Sequence, residues 1–287
     1  METAKRTIRD SVFSDLFGNK KYLLQLYQTL HPEDTGATED DLRDVTIRNV
    51  LTDDLYNDLG FRNGSRVMIL VESQSTWSVN IIVRVLLYLA QTWNDHIEET
   101  KQNRYGSRKL ELPKPEFYVI FTGDRQEKPE YLNLSGEFFD GKKGFLEVRV
   151  KMLYGDGDGD IISQYVAFTK VYQEQARLLG RTVEAVRETI RICKDKDVLR
   201  EYLSAHEKEV VSIMMALFDQ EKAVEQFGYE KKQEGREEGR EEGREEGDLR
   251  RAMKTASNMR KRGASLEEIA EILEFPPETI LSWVRKS

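Results

Sequence analysis

With 287 residues, 39% of them apolar and 33% charged, the chain is long enough for one main domain plus appendages and has the apolar material for a core. Its net charge of −8 excludes a protein that coats nucleic acid over its whole surface, and its single cysteine, Cys193, excludes an internal disulfide or a thiolate metal cluster. The opening METAKRTIRDSVF lacks the apolar stretch of a signal peptide, and the apolar run at 81–90 is too short to span a bilayer and is interrupted by Arg84, so the sequence predicts a cytoplasmic protein that stays off membranes.

Apolar residues at helical spacing predict one helix over 8–30, ended by His31 ahead of Pro32. VTIRNVL, 45–51, is rich in β-branched residues and reads as a strand. DLGFRNGSRVMILVE, 58–72, reads as a hairpin turning at Asn63-Gly64, and its second arm is apolar throughout, as in a strand covered on both faces. A long helix is expected from 76 to about 100, capped by Ser75 or Thr76. FYVIF, 117–121, and FLEVRVKMLY, 145–154, are two further strands. DGDGD, 156–160, lacks the glycine and glutamate that a calcium loop needs at its sixth and twelfth positions, and reads as a turn. From 161 to 226 the pattern is helical in three pieces, broken near Gly180 and Asp195. Cys193 falls within it as a packing residue.

KKQEGREEGREEGREEG, 231–247, repeats every four residues and contains no apolar residue. It is expected to be a solvated, frayed helix or a flexible tether, with Glu237–Arg240 and Glu241–Arg244 pairs offsetting a little of the glycine cost. Beyond Leu249 amphipathic character returns in two short helices, the first opened by a Ser265/Glu268 capping box. With Arg250, Arg251, Lys254 and 260–262 ahead of them, they form a helix-turn-helix candidate, or a tail for packing or homo-oligomer formation.

The residues that suggest chemistry lie around the hairpin. Asp58 opens one arm and Glu72 closes the other, so folding brings two hard-oxygen donors toward one end of adjacent strands, as Mg²⁺ favours. Asp53 and Asp54 lie close enough in the chain to supply the first acid instead, and a polar strand end meeting solvent fits the spacing equally well. Gln74 shares the strand face of Glu72 and is suited to orienting water or a phosphate oxygen. Arg84 interrupts an otherwise apolar helix, shares a face with Tyr88, and needs an anionic partner. In KQNRYGSRKLELPKP, 101–115, Lys101, Arg104, Arg108, Lys109 and Lys114 face only Glu111, a balance suited to the DNA phosphate backbone or to a solvated loop. His31, His96 and His206 are scattered, and no nucleotide-binding P-loop occurs.

DLGF…VESQS, followed by a helix carrying an arginine and a tyrosine, resembles the PD-(D/E)XK nuclease superfamily and, more closely, the Rpn-type recombination-promoting nucleases and putative transposases. The resemblance covers about 8–172, with the repeat and tail as a secondary match. It implies an α/β fold with a restriction-endonuclease-like core, a mixed sheet flanked by helices, and a helical C-terminal extension. It further implies a Mg²⁺-dependent DNA endonuclease whose metal ligands are Asp58 and Glu72, with Asp54 as the alternative to Asp58. Gln74 then stands where many members have lysine, which leaves open a catalytically inactive DNA-binding or assembly protein. Arg84, Tyr88 and an acid of the first helix, Asp10 or Asp15, would support the site. The organisation expected is a nuclease-like domain at 1–172, a helical extension at 173–228, a charged tether at 229–248 and a small helical tail at 249–287.

Overall fold

A computed structural model describes residues 12–45, 58–64, 66–73, 76–157 and 159–285. In chain order the elements are α1 (Val12–Phe17), α2 (Lys20–Leu30), β1 (Leu42–Val45), β2 (Asp58–Asn63), β3 (Arg66–Ser73), α3 (Ile81–Glu99), β4 (Lys114–Phe121), β5 (Tyr131–Asn133), α4 (Leu134–Phe138), β6 (Arg149–Leu153), α5 (Ile161–Leu179), α6 (Val183–Asp195), α7 (Arg200–Ala205), α8 (Glu207–Lys261), α9 (Leu266–Leu273) and α10 (Pro277–Arg285). The chain is mixed α/β and divides into two compact units, Met1–Asp219 and Gln220–Ser287, with the division falling inside α8.

In the first unit one sheet runs in the order β1-β2-β3-β4-β6-β5. β1, β2 and β3 pair antiparallel, β3, β4 and β6 pair parallel, and β5 runs antiparallel at the far edge. Alternation along β4 divides the core between the two faces. Tyr118 and Ile120 pack with residues of α1, α2, α5 and α6, whereas Val119 and Phe121 pack with Ile82, Val85 and Tyr88 of α3. The expected boundary at 172/173 falls inside α5, and residues well beyond it, such as Ile190, Tyr202 and Val210, share a core with Phe61 and Tyr118. Cys193 is wholly buried there as the packing residue expected, and burial pushes its thiol up to about 11.

Several expected boundaries move. The single helix over 8–30 is two helices within the described residues. Asn19 breaks it: its side-chain oxygen accepts from the Lys21 N–H at 3.0 Å and caps α2. His31 ends α2 as expected. Of the strand expected over 45–51 only Val45 is described, as the last residue of β1, which begins earlier at Leu42; 46–51 lie outside the described residues. The hairpin forms, but Asn63 pairs with Arg66, so the loop opens on Gly64 rather than on Asn63; Gly64 takes φ +56°, which a first loop residue of this kind requires of glycine. α3 begins at Ile81 instead of 76 because Ser78 Oγ accepts from the Asn80 N–H at 3.3 Å and holds a turn ahead of the helix. β6 is shorter than the run 145–154, since Phe145 and Leu146 are exposed and core packing begins only at Val148. β5 and α4 were not expected; three to five residues are too few to establish a hydrophobic period. The helical region after 160 has a fourth piece, α7, between the breaks at Asp195 and α8.

The described residues of DGDGD, 156, 157, 159 and 160, lead into α5. Asp160 caps that helix by accepting from the Ser163 N–H at 2.7 Å. Gly155 has φ +66° and passes so close to Val166 that an added Cβ would meet the valine Cβ at 2.7 Å.

The charged repeat is helical throughout, as part of α8, and nearly all of it is exposed. The expected Glu237–Arg240 and Glu241–Arg244 pairs do not form. Holding two long exposed side chains together costs about as much as such a pair returns. Ion pairs occur instead at the ends of the segment, Lys231–Glu234 at 2.5 Å and Arg250–Glu246 at 3.2 Å. In the second unit Ala256, Ile269, Ala270, Ile280 and Trp283 form a small core with Phe275, whose ring meets that of Trp283 at 4.8 Å. The Ser265/Glu268 capping box is present, and three residues link α9 to α10.

Candidate functional site

The hairpin ladder pairs Asp58 with Val71, so the backbone positions of Asp58 and Glu72 are diagonal neighbours at one end of β2 and β3. The same end is where β4 finishes, since Glu72 is level with Ile120 and Ser73 with Phe121. Position 58 has the parity of Val71 and hence of Val119, whereas position 72 has that of Ile120. The two positions therefore alternate across the sheet, and a ligand common to both belongs at the rim of the strands rather than on one face. Gln74, Asp54, Asp53 and Asp10 lie outside the described residues. Asp15, the other acid considered from the first helix, accepts from the Tyr202 hydroxyl at 2.7 Å.

α3 starts near this rim, which puts Arg84 and Tyr88 in its first two turns. Arg84 Nε and Nη2 both donate to the Tyr88 hydroxyl, at 3.3 and 3.2 Å, and the Tyr88 ring is buried in the core. Gln91, further along α3, donates to Asp95 at 2.7 Å.

Sequence reasoning missed a second group at this rim. Arg125, just beyond β4, stacks on Trp77 with its guanidinium 3.9 Å from the ring centre. Trp77 meets Phe121 edge-on at 5.3 Å, and Phe121 meets Tyr154 at 6.1 Å. Tyr154 donates to the Pro129 carbonyl at 2.8 Å, and burial raises its phenol pKa. Lys128 pairs with Asp156 at 2.9 Å. The signal available was TGDRQEKP, a polar, partly basic turn directly after a buried strand. Carboxyl ends of parallel strands are where open α/β sheets bind ligands.

The basic loop lies at the opposite end. β4 begins at Lys114, level with Arg66, so residues 100–113 emerge beside the hairpin turn. Six residues of β3 separate Arg66 from Glu72, about 20 Å at ~3.3 Å each. The loop lines a cavity of about 1240 Å³ with Arg62, His96, Lys101, Gln102, Arg108 and Lys109. Arg62 Nη1 donates to His96 Nδ1 at 2.9 Å, and His96 Nε2 lies 3.0 Å from the Glu111 carbonyl. Arg104 pairs with Glu98 at 3.5 Å, Arg108 with Glu111 at 3.2 Å and Lys114 with Glu116 at 3.5 Å. Among the described residues no acid pairs with Lys101 or Lys109.

Among the described residues no three His, Cys, Asp or Glu side chains gather as a metal cage, and no helix is long and apolar enough to cross a membrane. No protein-family model, curated protein or solved structure matches the chain.

Proposed function

We propose that the protein is a metal-dependent DNA endonuclease with a restriction-endonuclease-like core, serving recombination or transposition. The observation that carries this reading is the hairpin register, which brings the backbone of an aspartate and a glutamate together where β2, β3 and β4 share an end. This donor set suits Mg²⁺, which takes one or two carboxylates, keeps several waters and leaves room for phosphate oxygens. Asp58, or Asp54 in its place, and Glu72 would hold the ion. When bound, it lowers the pKa of water and screens charge building up on phosphorus.

The chain's own residues have distinct tasks in this reading. Gln74 orients a water or a phosphate oxygen by hydrogen bonding. Arg84, held against Tyr88, braces the rim or meets the phosphate. Arg125 is held over Trp77 and pairs with Glu127 at 3.4 Å, a carboxylate that a phosphate would displace.

A second reading is a nuclease-fold protein that binds DNA or assembles without cutting it. Gln74 favours it, because glutamine brings no positive charge to the transition state where a lysine would.

Nicking of supercoiled plasmid in Mg²⁺ separates the two. Wild type should nick, and Glu72→Ala should not. Equal cutting by both removes Glu72 from the site. Binding without cutting by both selects the second reading.

A further inference from the structure

The sheet end farthest from Glu72 carries a feature the endonuclease reading does not use. Loop 100–113 enters β4 and loop 139–148 enters β6, and these two strands are parallel neighbours. Both loops therefore emerge at the same end. Each exposes an aromatic ring: Tyr105 is 91% exposed, and Phe145 is fully exposed with Phe139 and Leu146 also open to solvent. A phenylalanine left in water forgoes the apolar burial that would stabilise the fold, so the fold does not account for Phe145.

Cations accompany the rings. Lys101, Lys109 and Lys142 have no ion-pair partner among the described residues. Of the acids nearby, Glu111 pairs with Arg108 and Glu147 accepts from the Ser135 N–H at 3.1 Å, which leaves exposed Asp140 against Lys101, Lys109, Lys142 and Lys143. The same loop lines the cavity of about 1240 Å³, whose wall mixes Arg62, Lys101, Arg108 and Lys109 with Glu111 and with apolar Leu110 and Leu112.

We infer that this end of the sheet binds single-stranded nucleic acid, with bases stacking on Tyr105 and Phe145 and phosphates neutralised by Lys101, Lys109 and Lys142. Exposed rings beside cations that no described acid pairs with are what sequence-tolerant single-strand binding needs. A duplex offers its rings no exposed base face away from its ends. An anionic membrane would engage the same rings and lysines, but a flat surface gives no use to a recessed cavity with Gln102 and His96 in its wall.

The face lies about 20 Å from Glu72, or about six base-pair rises of 3.4 Å. A substrate with both a duplex and an unpaired strand would reach both ends. Binding here is independent of cutting, and it is measured without divalent metal so that failure of the endonuclease reading leaves it intact.

The experiment is fluorescence anisotropy of the full chain, in EDTA, with a labelled 20-nucleotide oligothymidylate, a duplex of equal length and phosphatidylserine vesicles. Wild type should prefer the oligothymidylate. Tyr105→Ala and Phe145→Ala should each weaken it about five- to hundredfold. Tyr105→Phe should retain binding, since it keeps the ring. Lys101→Gln and Lys109→Gln should each flatten the salt dependence by about 0.7 in log–log slope. Both ring positions are exposed, so the variants should keep the wild-type circular dichroism spectrum. Unchanged affinity in both alanine variants, equal affinity for duplex and single strand, or binding to the vesicles alone would overturn the inference.

Discussion

Replacing Gly235, Gly239, Gly243 and Gly247 together by alanine should stabilise the middle of α8. All four lie in the helix interior, and an added Cβ at each meets nothing within 4 Å. No steric term therefore opposes the change. Each substitution removes the backbone freedom that glycine gains on unfolding and is worth about 0.8–1 kcal/mol in an exposed helix. Four sum to about 3–4 kcal/mol, since the term is each residue's own backbone entropy and the new methyls, ~6 Å apart, do not touch. Native-state hydrogen exchange reads the effect directly. Amides of residues 235–250 should gain two to three orders of magnitude in protection, at about 1.4 kcal/mol per decade, while those of β4 stay unchanged. A four-residue spacing puts the new alanines on one stripe, so the measurement is repeated at a second protein concentration to exclude association. Protection that is unchanged or lower would refute the description of 231–247 as a solvated helix whose glycines serve no packing role.

Other perturbations test other parts of the account. Gly155→Ala should cost about 2–4 kcal/mol, from left-handed strain and overlap with Val166, and lower the melting temperature of the first unit by roughly 5–15 °C. An unaltered melting temperature would contradict the close approach. Cys193 should resist thiol reagents in the native protein at pH 8 and react once urea unfolds it. Its thiol pKa is raised from about 8.5 in the unfolded chain, so its contribution is complete below that pH and is lost as pH rises through about 11. Denaturant midpoints between pH 8 and 11 should therefore fall more steeply for wild type than for Cys193→Ala.

Much of the fold was legible where a local signal is strong. The apolar arm VMILV, the run FYVIF and the Ser265/Glu268 box became the elements expected of them. Local competition hid other boundaries. Asn19 offers its own cap inside a helical period, and Ser78 delays α3 by a turn. The repeat was expected as a solvated, frayed helix or a flexible tether; the first alternative holds, since it continues α8, a helix that starts at Glu207 with Val210 and Met214 in the core. The two acids were legible as neighbours because a hairpin must bring its open ends together. Their opposite parity was legible too, since a two-residue loop at 63-64 and the observed loop one residue later both set 58 opposite an odd position of β3 and hence out of phase with 72.

The position of the basic loop was hidden by connectivity. A 19-residue helix of about 28 Å carries the chain from the end of β3 back to the start of a parallel β4. That return places 100–113 a sheet's length from Glu72. Read without the crossover, Lys101 and Arg108 fall on the same substrate contact as the acids; with it, they belong to a separate surface. Arg125 was missed for the same reason, because only the parallel pairing puts the turn after FYVIF at the rim.

The most direct measurement is Mn²⁺ binding followed by electron paramagnetic resonance, with Mn²⁺ standing in for Mg²⁺. The account predicts that wild type depletes the signal of the free ion, that Glu72→Ala does not, and that either Asp58→Asn or Asp54→Asn fails likewise and so identifies the second ligand. If Glu72→Ala binds Mn²⁺ as well as wild type does, or if neither aspartate variant changes the binding, the two hairpin ends do not share a cation.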